Sequence, residues 1–468
     1  MASPLRVHPE NPHYLMFKDG LKVLITSAEH YGAVVNKSFD YVPYLEKLAA
    51  FGLNATRIYP GMLIEPVDKF IPGNTLGLRP EDVIVPWARS WAPGCALGGN
   101  KFDLDRWDPA YFRRLEDFIS KAEKLDIVVE ICFFNAQYPD TWLLCPLHAG
   151  NNIQKIGERD HRFAQTVDDP GLLGRELDYV RKIVTEVNGH DNIILEICDE
   201  PTLEGTTGAE ATAWIGRVVD CVIETERGLP KKHLIAQQLE KAVDFTADPR
   251  IPVIVGQYVG HAGAQIGGIE ALDTEYHHAK PIELNETSYY PVWYNGDKIA
   301  ASRAEAWEFI AGGGASFNQL NGLFTAADPA GDTEENRLLL NGLKSLRSFI
   351  ESFDLVKMRQ DKKVVKSGIP AGAFCRAISE PGRQYALYLH HSKYGEKDIS
   401  YTADPGTCQE DLALDLPPGS YTADWIDPAT AGVIRSDSVD HPGGIAALKT
   451  PEYVFDLALR IRSRGGRL

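Results

Sequence analysis

The chain has 468 residues, with 48 Lys or Arg against 65 Asp or Glu, a formal net charge of −17, 44% apolar and 24% charged residues. That balance excludes a mostly disordered chain and argues against a nucleic-acid binder, whose surface would be basic. No run approaches the roughly 20 apolar residues of a membrane-spanning helix. The start, Met1-Ala-Ser-Pro-Leu-Arg6, lacks a signal-peptide pattern, and the seven cysteines form no CxxC pair. Reduced thiols and a cytoplasmic location are therefore expected.

The first strand is expected at Lys22–Thr26, after an Asp19-Gly20 hairpin signal. A helix over Asp40–Phe51 and a strand over Leu53–Ile58 follow. The long Pro-, Gly- and aromatic-rich stretch to Trp107 reads as a functional loop. Asp108-Pro109 is an N-cap followed by proline, opening a helix with Leu115, Phe118, Ile119 and Ala122 on one face. Strand Ile127–Phe134, helix Leu177–Val187 and strand Asn192–Cys198 come next, then helix Ala211–Thr225 and strand His233–Gln237. Strands Pro252–Val255, Pro281–Asn285 and Ala315–Leu320 complete the set. A helix opening on the capping box Ser302-Arg-Ala-Glu305 and another over Glu334–Phe353 accompany them.

Eight strands, most followed by a helix, point to a closed (β/α)8 barrel over residues 1–354. A doubly wound open sheet is the rival, but no Gly-rich phosphate fingerprint follows any strand. From 355 to 468 the long helical patterns stop, and short alternating runs such as Tyr385–His390, Leu412–Leu416, Tyr421–Trp425 and Phe455–Leu459 are split by Pro-Gly turns. These predict an all-β sandwich domain at the C-terminus.

Catalytic side chains of such barrels sit at the C-terminal strand ends. The polar residues there are Glu29 and His30, Arg57, Asn135, Asp199 and Glu200, Gln257, Tyr258 and His261, and Asn285 and Glu286. Two carboxylates at separate strand ends, with arginine and tyrosine available, are what glycoside hydrolysis requires. Glu200 and Glu286 are about three βα units of roughly 30 residues apart, which fits the ends of strands four and seven.

Ile193-Ile-Leu-Glu-Ile-Cys-Asp-Glu-Pro201 and Lys280-Pro-Ile-Glu-Leu-Asn-Glu-Thr287 resemble the two active-site strands of retaining β-glycosidases of clan A, especially glycoside hydrolase family 5. Gly52-Leu-Asn-Ala-Thr-Arg-Ile58 is similar to that clan's second strand with its arginine. The resemblance implies Glu200 as general acid/base and Glu286 as nucleophile, with Arg57 holding Glu286 ionised and Tyr258 donating a hydrogen bond to it. In two places the chain departs from the family. Asp199 stands where the clan usually has the asparagine that bonds the sugar 2-hydroxyl, and Gln257 stands where related barrels often carry histidine. An aspartate cannot donate unless protonated and favours a cation, which points to a 2-amino sugar.

His30, Asn135, Trp142 and His148 are further candidates to line the sugar site, and Trp87, Trp91 and Trp293 either stack on sugar faces or pin the loop. Glu130, Glu196 and Glu283, inside apolar strands, read as paired barrel-core acids. No HxH, HExxH or GxSxG motif supports metal or serine chemistry, and neither metal nor cofactor is expected. The expected activity is retaining hydrolysis of a β-linked glycoside, exo-acting because of the long second loop. The rival is a non-catalytic carbohydrate-binding barrel. The expected partner is a carbohydrate, not nucleic acid or membrane.

Overall fold

The computed structural model describes residues 3–257, 268–289, 297–394, 401–403 and 406–465. Eight strands form one sheet: β1 (Leu24–Ala28), β2 (Ala55–Ile58), β3 (Val128–Asn135), β4 (Ile193–Asp199), β5 (Leu234–Gln238), β6 (Val253–Gly256), β7 (Ile282–Tyr289) and β8 (Ser316–Asn321). All seven hydrogen-bonded neighbour pairs, running from β2 through β8 to β1, are parallel. The seam between β1 and β2 is closed by Asn54. Its Nδ2 donates to the Val23 carbonyl (2.9 Å), its Oδ1 accepts from Ile25 N–H (2.8 Å), and its own N–H reaches the Ile25 carbonyl (3.2 Å).

Period-two alternation sorts each strand into two faces. Outward residues such as Ile25, Val129, Ile193, Leu195, Ile235 and Ile254 join the large core under the helices. Inward residues Leu24, Ala55, Val128, Ile194, Leu234, Val253 and Val255 fill the bottom of the barrel. That plug is sealed by Leu15 and Phe17 from an N-terminal hairpin, Leu15–Phe17 with Gly20–Lys22. The hairpin turns at Lys18-Asp19, both left-handed (φ 50° and 61°), so Lys22 ends the hairpin and the barrel strand begins at Leu24. Each large aliphatic residue buried this way contributes about 1.5–3 kcal/mol.

The helices are α1 (Tyr41–Ala50), α2 (Pro109–Lys124), α3 (Pro139–Leu144), α4 (Pro170–Val187), α5 (Gly208–Arg227), α6 (Gly268–Thr274), α7 (Lys298–Ala311) and α8 (Glu334–Ile350). Asp108 caps α2 as the sequence suggests, and Asp40 caps α1 in the same way. No helix lies between β5 and β6, where a short turn at Glu240–Val243 suffices. The stretch before Trp107 is not all loop, because Trp87–Pro93 and Asn100–Trp107 pair as a hairpin. Helix α7 starts earlier than its capping box predicted: Asp297 is the N-cap, accepting from Ala300 N–H (3.0 Å). Ser302 and Glu305 lie inside α7, bonded to Gln319 of β8 and Thr287 of β7. A helix covered on two sides buries polar residues that a one-sided helix would use as caps.

The second cover is the C-terminal sandwich. A six-stranded antiparallel sheet (Arg359–Gln360, Phe374–Glu380, Gln384–His390, Asp456–Ser463, Gly419–Ile426, Val433–His441) faces a three-stranded sheet (Val365–Ser367, Asp411–Leu416, Gly444–Lys449). Tyr385 and Trp425 lie in its core, whereas Tyr388 turns outward onto Trp307 of α7 (5.4 Å between ring centroids). Arg303 of α7 grips Asp456 through two bonds (2.8 and 2.9 Å), and Glu308 takes both Arg376 and His390 at 3.0 Å. Among the described residues, no helix is long and apolar enough to cross a membrane.

Candidate active site

Above the apolar plug the barrel interior turns polar, and the polar layer is organised around Arg57 at the end of β2. Its side chain is fully buried. Nε and Nη2 donate to Glu196 Oε2 (2.9 and 2.7 Å), Nη1 donates to Glu286 Oε2 (2.8 Å), and Nη2 lies 3.2 Å from Asp199 Oδ2. Burial works against the guanidinium's charge, but Asp199 and Glu196 outweigh it and hold Arg57 charged. The rings of Tyr31 and Tyr59 lie against its guanidinium, with centroids 4.9 and 5.2 Å away. Three strand ends, β2, β4 and β7, are thus tied to one cation.

Asp199, the last residue of β4, is also fully buried. Its Oδ2 accepts from Tyr59 Oη (2.5 Å) and Asn135 Nδ2 (3.1 Å), while Oδ1 is buried without a hydrogen-bond partner. Glu200 follows in the left-handed region (φ 51°), a conformation disfavoured for a long side chain. Gln238 of β5 supports it by accepting from Glu200 N–H (2.8 Å), and Tyr138 Oη donates to Glu200 Oε2 (3.2 Å). Gln238 is braced in turn by Glu240 (3.3 Å), which accepts from Thr202.

Glu286 owes its direction to a bulge. The β7–β8 register slips between Leu284 and Thr287, inserting one extra residue on β7 beside Glu286. Bulges re-aim side chains next to active sites. Glu286 is 8% exposed, and Arg57 holds one of its carboxylate oxygens. Beneath it, Asn285 Nδ2 donates to Glu130 Oε1 (2.9 Å). Burial and mutual repulsion among Glu130, Glu283 and Glu196 push the first two carboxyls above the usual range. Burial also raises Glu196, though Arg57 pulls it back.

The start of the β2–α2 connection walls one side of the mouth. Glu65 Oε1 lies 3.5 Å from His30 Nε2, and Thr75 bonds Glu29. Phe70 packs edge-on against Tyr138 (5.6 Å), and a Cβ on Gly322, just after β8, would lie 2.7 Å from Ile71. His30 is buried with Nδ1 unpartnered. Burial lowers its pKa, but Glu65, Glu286 and Glu29 together leave it raised.

Of the residues expected from sequence, the structure gathers Arg57, Asp199, Glu286 and Asn135 in one network, with Glu200 beside Asp199 and His30 within the field of Glu286. Trp142 and His148 fall outside it. Trp142 is buried with Nε1 bonded to the Arg159 carbonyl (2.9 Å) and stands edge-on to His148 (5.7 Å), whose Nδ1 accepts from Gly150 N–H. Trp87 is buried against Trp107 and Tyr179, whereas Trp91 is 83% exposed. Tyr258, His261 and Trp293 lie outside the described residues, and Gln257 is buried with its amide unbonded to any described residue. Sequence reading did not single out Tyr59, Tyr138, Glu65 or Gln238. Tyr59 carried a signal, because it stands two residues beyond Arg57 on the same face of the strand.

Solved structures share this architecture. A glycoside hydrolase family 5 protein from Bacteroides vulgatus ATCC 8482 superposes with a TM-score of 0.62 at 12% identity, covering 99% of this chain and 94% of its own. The chain has the fold of that hydrolase. A second glycoside hydrolase structure gives a TM-score of 0.63 at 12% identity, covering 99% and 98%. Another Bacteroides vulgatus protein gives 0.65 at 13% identity, covering 98% of this chain and 82% of its own. No protein-family profile matches the sequence, and no curated protein does. The likeness of fold covers barrel and sandwich together.

Proposed function

We propose that the protein is a retaining β-glycosidase. The observation that carries this is the bridge from Arg57 to Glu286 and Asp199, with Glu200 next in chain to Asp199. In the first step a Glu286 oxygen bonds the anomeric carbon as the glycosidic C–O bond breaks, and Glu200 passes its proton to the departing oxygen. In the second step Glu200 takes a proton from water, whose oxygen displaces Glu286 from the sugar with overall retention. Arg57 donates to one Glu286 oxygen and so orients the carboxylate for attack. The solved family 5 hydrolase and the shared fold support the reading.

Two finer features go with it. The wall built by residues 59–78 over the β8–β1–β2–β3 side of the mouth favours a closed pocket and exo action. The buried, unpartnered Oδ1 of Asp199 favours a donor at sugar C2, and the carboxyls converging on Arg57 favour a cationic one, a 2-amino sugar. The test is hydrolysis of matched p-nitrophenyl β-glucoside and β-glucosaminide by wild type and Glu286→Gln. Activity abolished by Glu286→Gln supports the mechanism, and preference for the glucosaminide supports the C2 reading. Sugar binding without turnover, unchanged in Glu286→Gln, would instead establish a non-catalytic carbohydrate-binding barrel.

A further inference from the structure

A second cluster of chemically reactive side chains lies in the sandwich, remote in sequence from the strand ends of the barrel. His391 precedes the strand Ser392–Tyr394, Cys408 ends the strand Thr407–Cys408, and Glu410 directly precedes Asp411–Leu416. Cys408 is held in antiparallel register with Tyr453, and His391 N–H donates to the Phe455 carbonyl (2.8 Å), so three separate backbone segments fix the cluster. Glu410 is anchored on both sides, its N–H donating to Thr450 Oγ1 (2.9 Å) and its carbonyl accepting from Thr450 N–H (2.9 Å).

One imidazole nitrogen, the Cys408 sulfur and one Glu410 oxygen all lie within 4.8 Å of one another. His391 Nε2 is 3.3 Å from Glu410 Oε1 and 2.9 Å from Tyr453 Oη. The Glu410 side chain is only 8% exposed, yet its Oε2 is buried with no hydrogen-bond partner. A buried carboxylate oxygen with no partner among the described residues is suited to a cation or a further donor. Around a tetrahedral zinc ion with ligands at about 2.0–2.3 Å, neighbouring donor atoms stand roughly 3.3–3.8 Å apart. The cluster reaches that spacing through side-chain shifts of about an ångström or less.

We propose that His391, Cys408 and Glu410 form a zinc site, with the fourth position filled by water or the Tyr453 phenol. The donor set of one thiolate, one imidazole and one carboxylate suits zinc, whereas calcium and magnesium take oxygen ligands alone. The ion would pin the edge strands Thr407–Cys408 and Tyr453–Val454 to the His391 end of the six-stranded sheet. This role is structural and does not depend on the glycosidase reading.

The test uses the full chain freed of metal by dialysis against a chelator, titrated with Co²⁺ and then Zn²⁺. The expected result is one Co²⁺ per chain with a thiolate-to-cobalt absorption band, displaced by Zn²⁺, and a higher unfolding midpoint with Zn²⁺ bound. Cys408→Ser abolishes the band. Glu410→Gln, which preserves size, weakens binding by at least the ~10–100-fold typical of losing even an outer-shell partner. The Glu275, His277 and His278 group carries no thiol and cannot give that band. No thiolate band in wild type, or a band unchanged in Cys408→Ser, would overturn the proposal.

Discussion

Replacing Asp199 by Asn is the most discriminating change at the sugar site. The side chain keeps its shape, and the amide oxygen can still accept from Tyr59, Asn135 and Arg57 in the place of Oδ2. The new NH2 then occupies the position of the unpartnered Oδ1 and turns an acceptor into a donor. Arg57 retains Glu196 and Glu286, so the change in folding stability should stay near 1 kcal/mol, the difference between a charge-assisted and a neutral hydrogen bond. For a glucosaminide the variant loses a carboxylate–ammonium bond, about 1.5–3 kcal/mol, whereas a glucoside's 2-hydroxyl donates to the carboxylate or accepts from the amide and keeps a bond in both. The ratio of kcat/KM values therefore shifts by about 1.5–3 kcal/mol, or roughly 10- to 160-fold toward the glucoside. The assay is kcat/KM for both p-nitrophenyl glycosides with wild type and variant. If both substrates change by the same factor, Asp199 does not face C2 and the amino-sugar argument fails.

Gln238→Leu removes the acceptor that supports the left-handed Glu200, so kcat should fall about 10- to 100-fold with KM nearly unchanged; Gln238→Glu, which keeps an acceptor there, should recover part of it. Glu29 is held by Gly32 N–H, Ala33 N–H and Thr75, but burial dominates and raises its pKa to about 7. The folded chain therefore binds an extra proton between the ordinary carboxyl value and about 7, and this stabilisation, at most ~3 kcal/mol, is full below pH 4.5 and lost as pH rises through 7. Glu29→Gln cannot titrate, so its stability relative to wild type should improve by up to that amount between pH 5 and pH 8 in urea unfolding; parallel pH curves would contradict it. Asn54→Ala opens the β1–β2 seam and leaves the Ile25 N–H and Val23 carbonyl unpaired, with an expected loss of about 2–4 kcal/mol by the same method.

The barrel was legible because its strands read as short apolar runs between helical patterns, and the strand ends pointed to Arg57, Asp199, Glu200 and Glu286 without any knowledge of contacts. What stayed hidden depends on sheet order and on what covers each element. Arg57 meets Glu196 across the barrel although 139 residues separate them, which no local pattern encodes. Gln238 looks like any polar residue at a strand end until Glu200 is seen to need an acceptor. The start of α7 was misread because Ser302 and Glu305 match a capping box, while inside the helix they serve as partners of Gln319 and Thr287 on the barrel strands β8 and β7. The role of Asp199 was half visible: sequence showed a carboxylate where an amide is usual, and the structure adds that one oxygen is committed to Arg57, Tyr59 and Asn135. Trp142 and His148 sit apart from the Arg57 network, each bonded within the loop that follows β3, to the Arg159 carbonyl and the Gly150 N–H.

The central claim is that Glu286 forms a covalent bond to the sugar during turnover. The most direct measurement is mass spectrometry of the protein after brief incubation with a 2-deoxy-2-fluoro β-glycosyl fluoride, which slows release of the glycosyl-enzyme. The account predicts a mass increase of one fluorosugar per chain, located on the peptide containing Glu286 and absent in Glu286→Gln. Hydrolysis of ordinary β-glycosides without such labelling, together with inversion at the anomeric carbon by NMR, would contradict it.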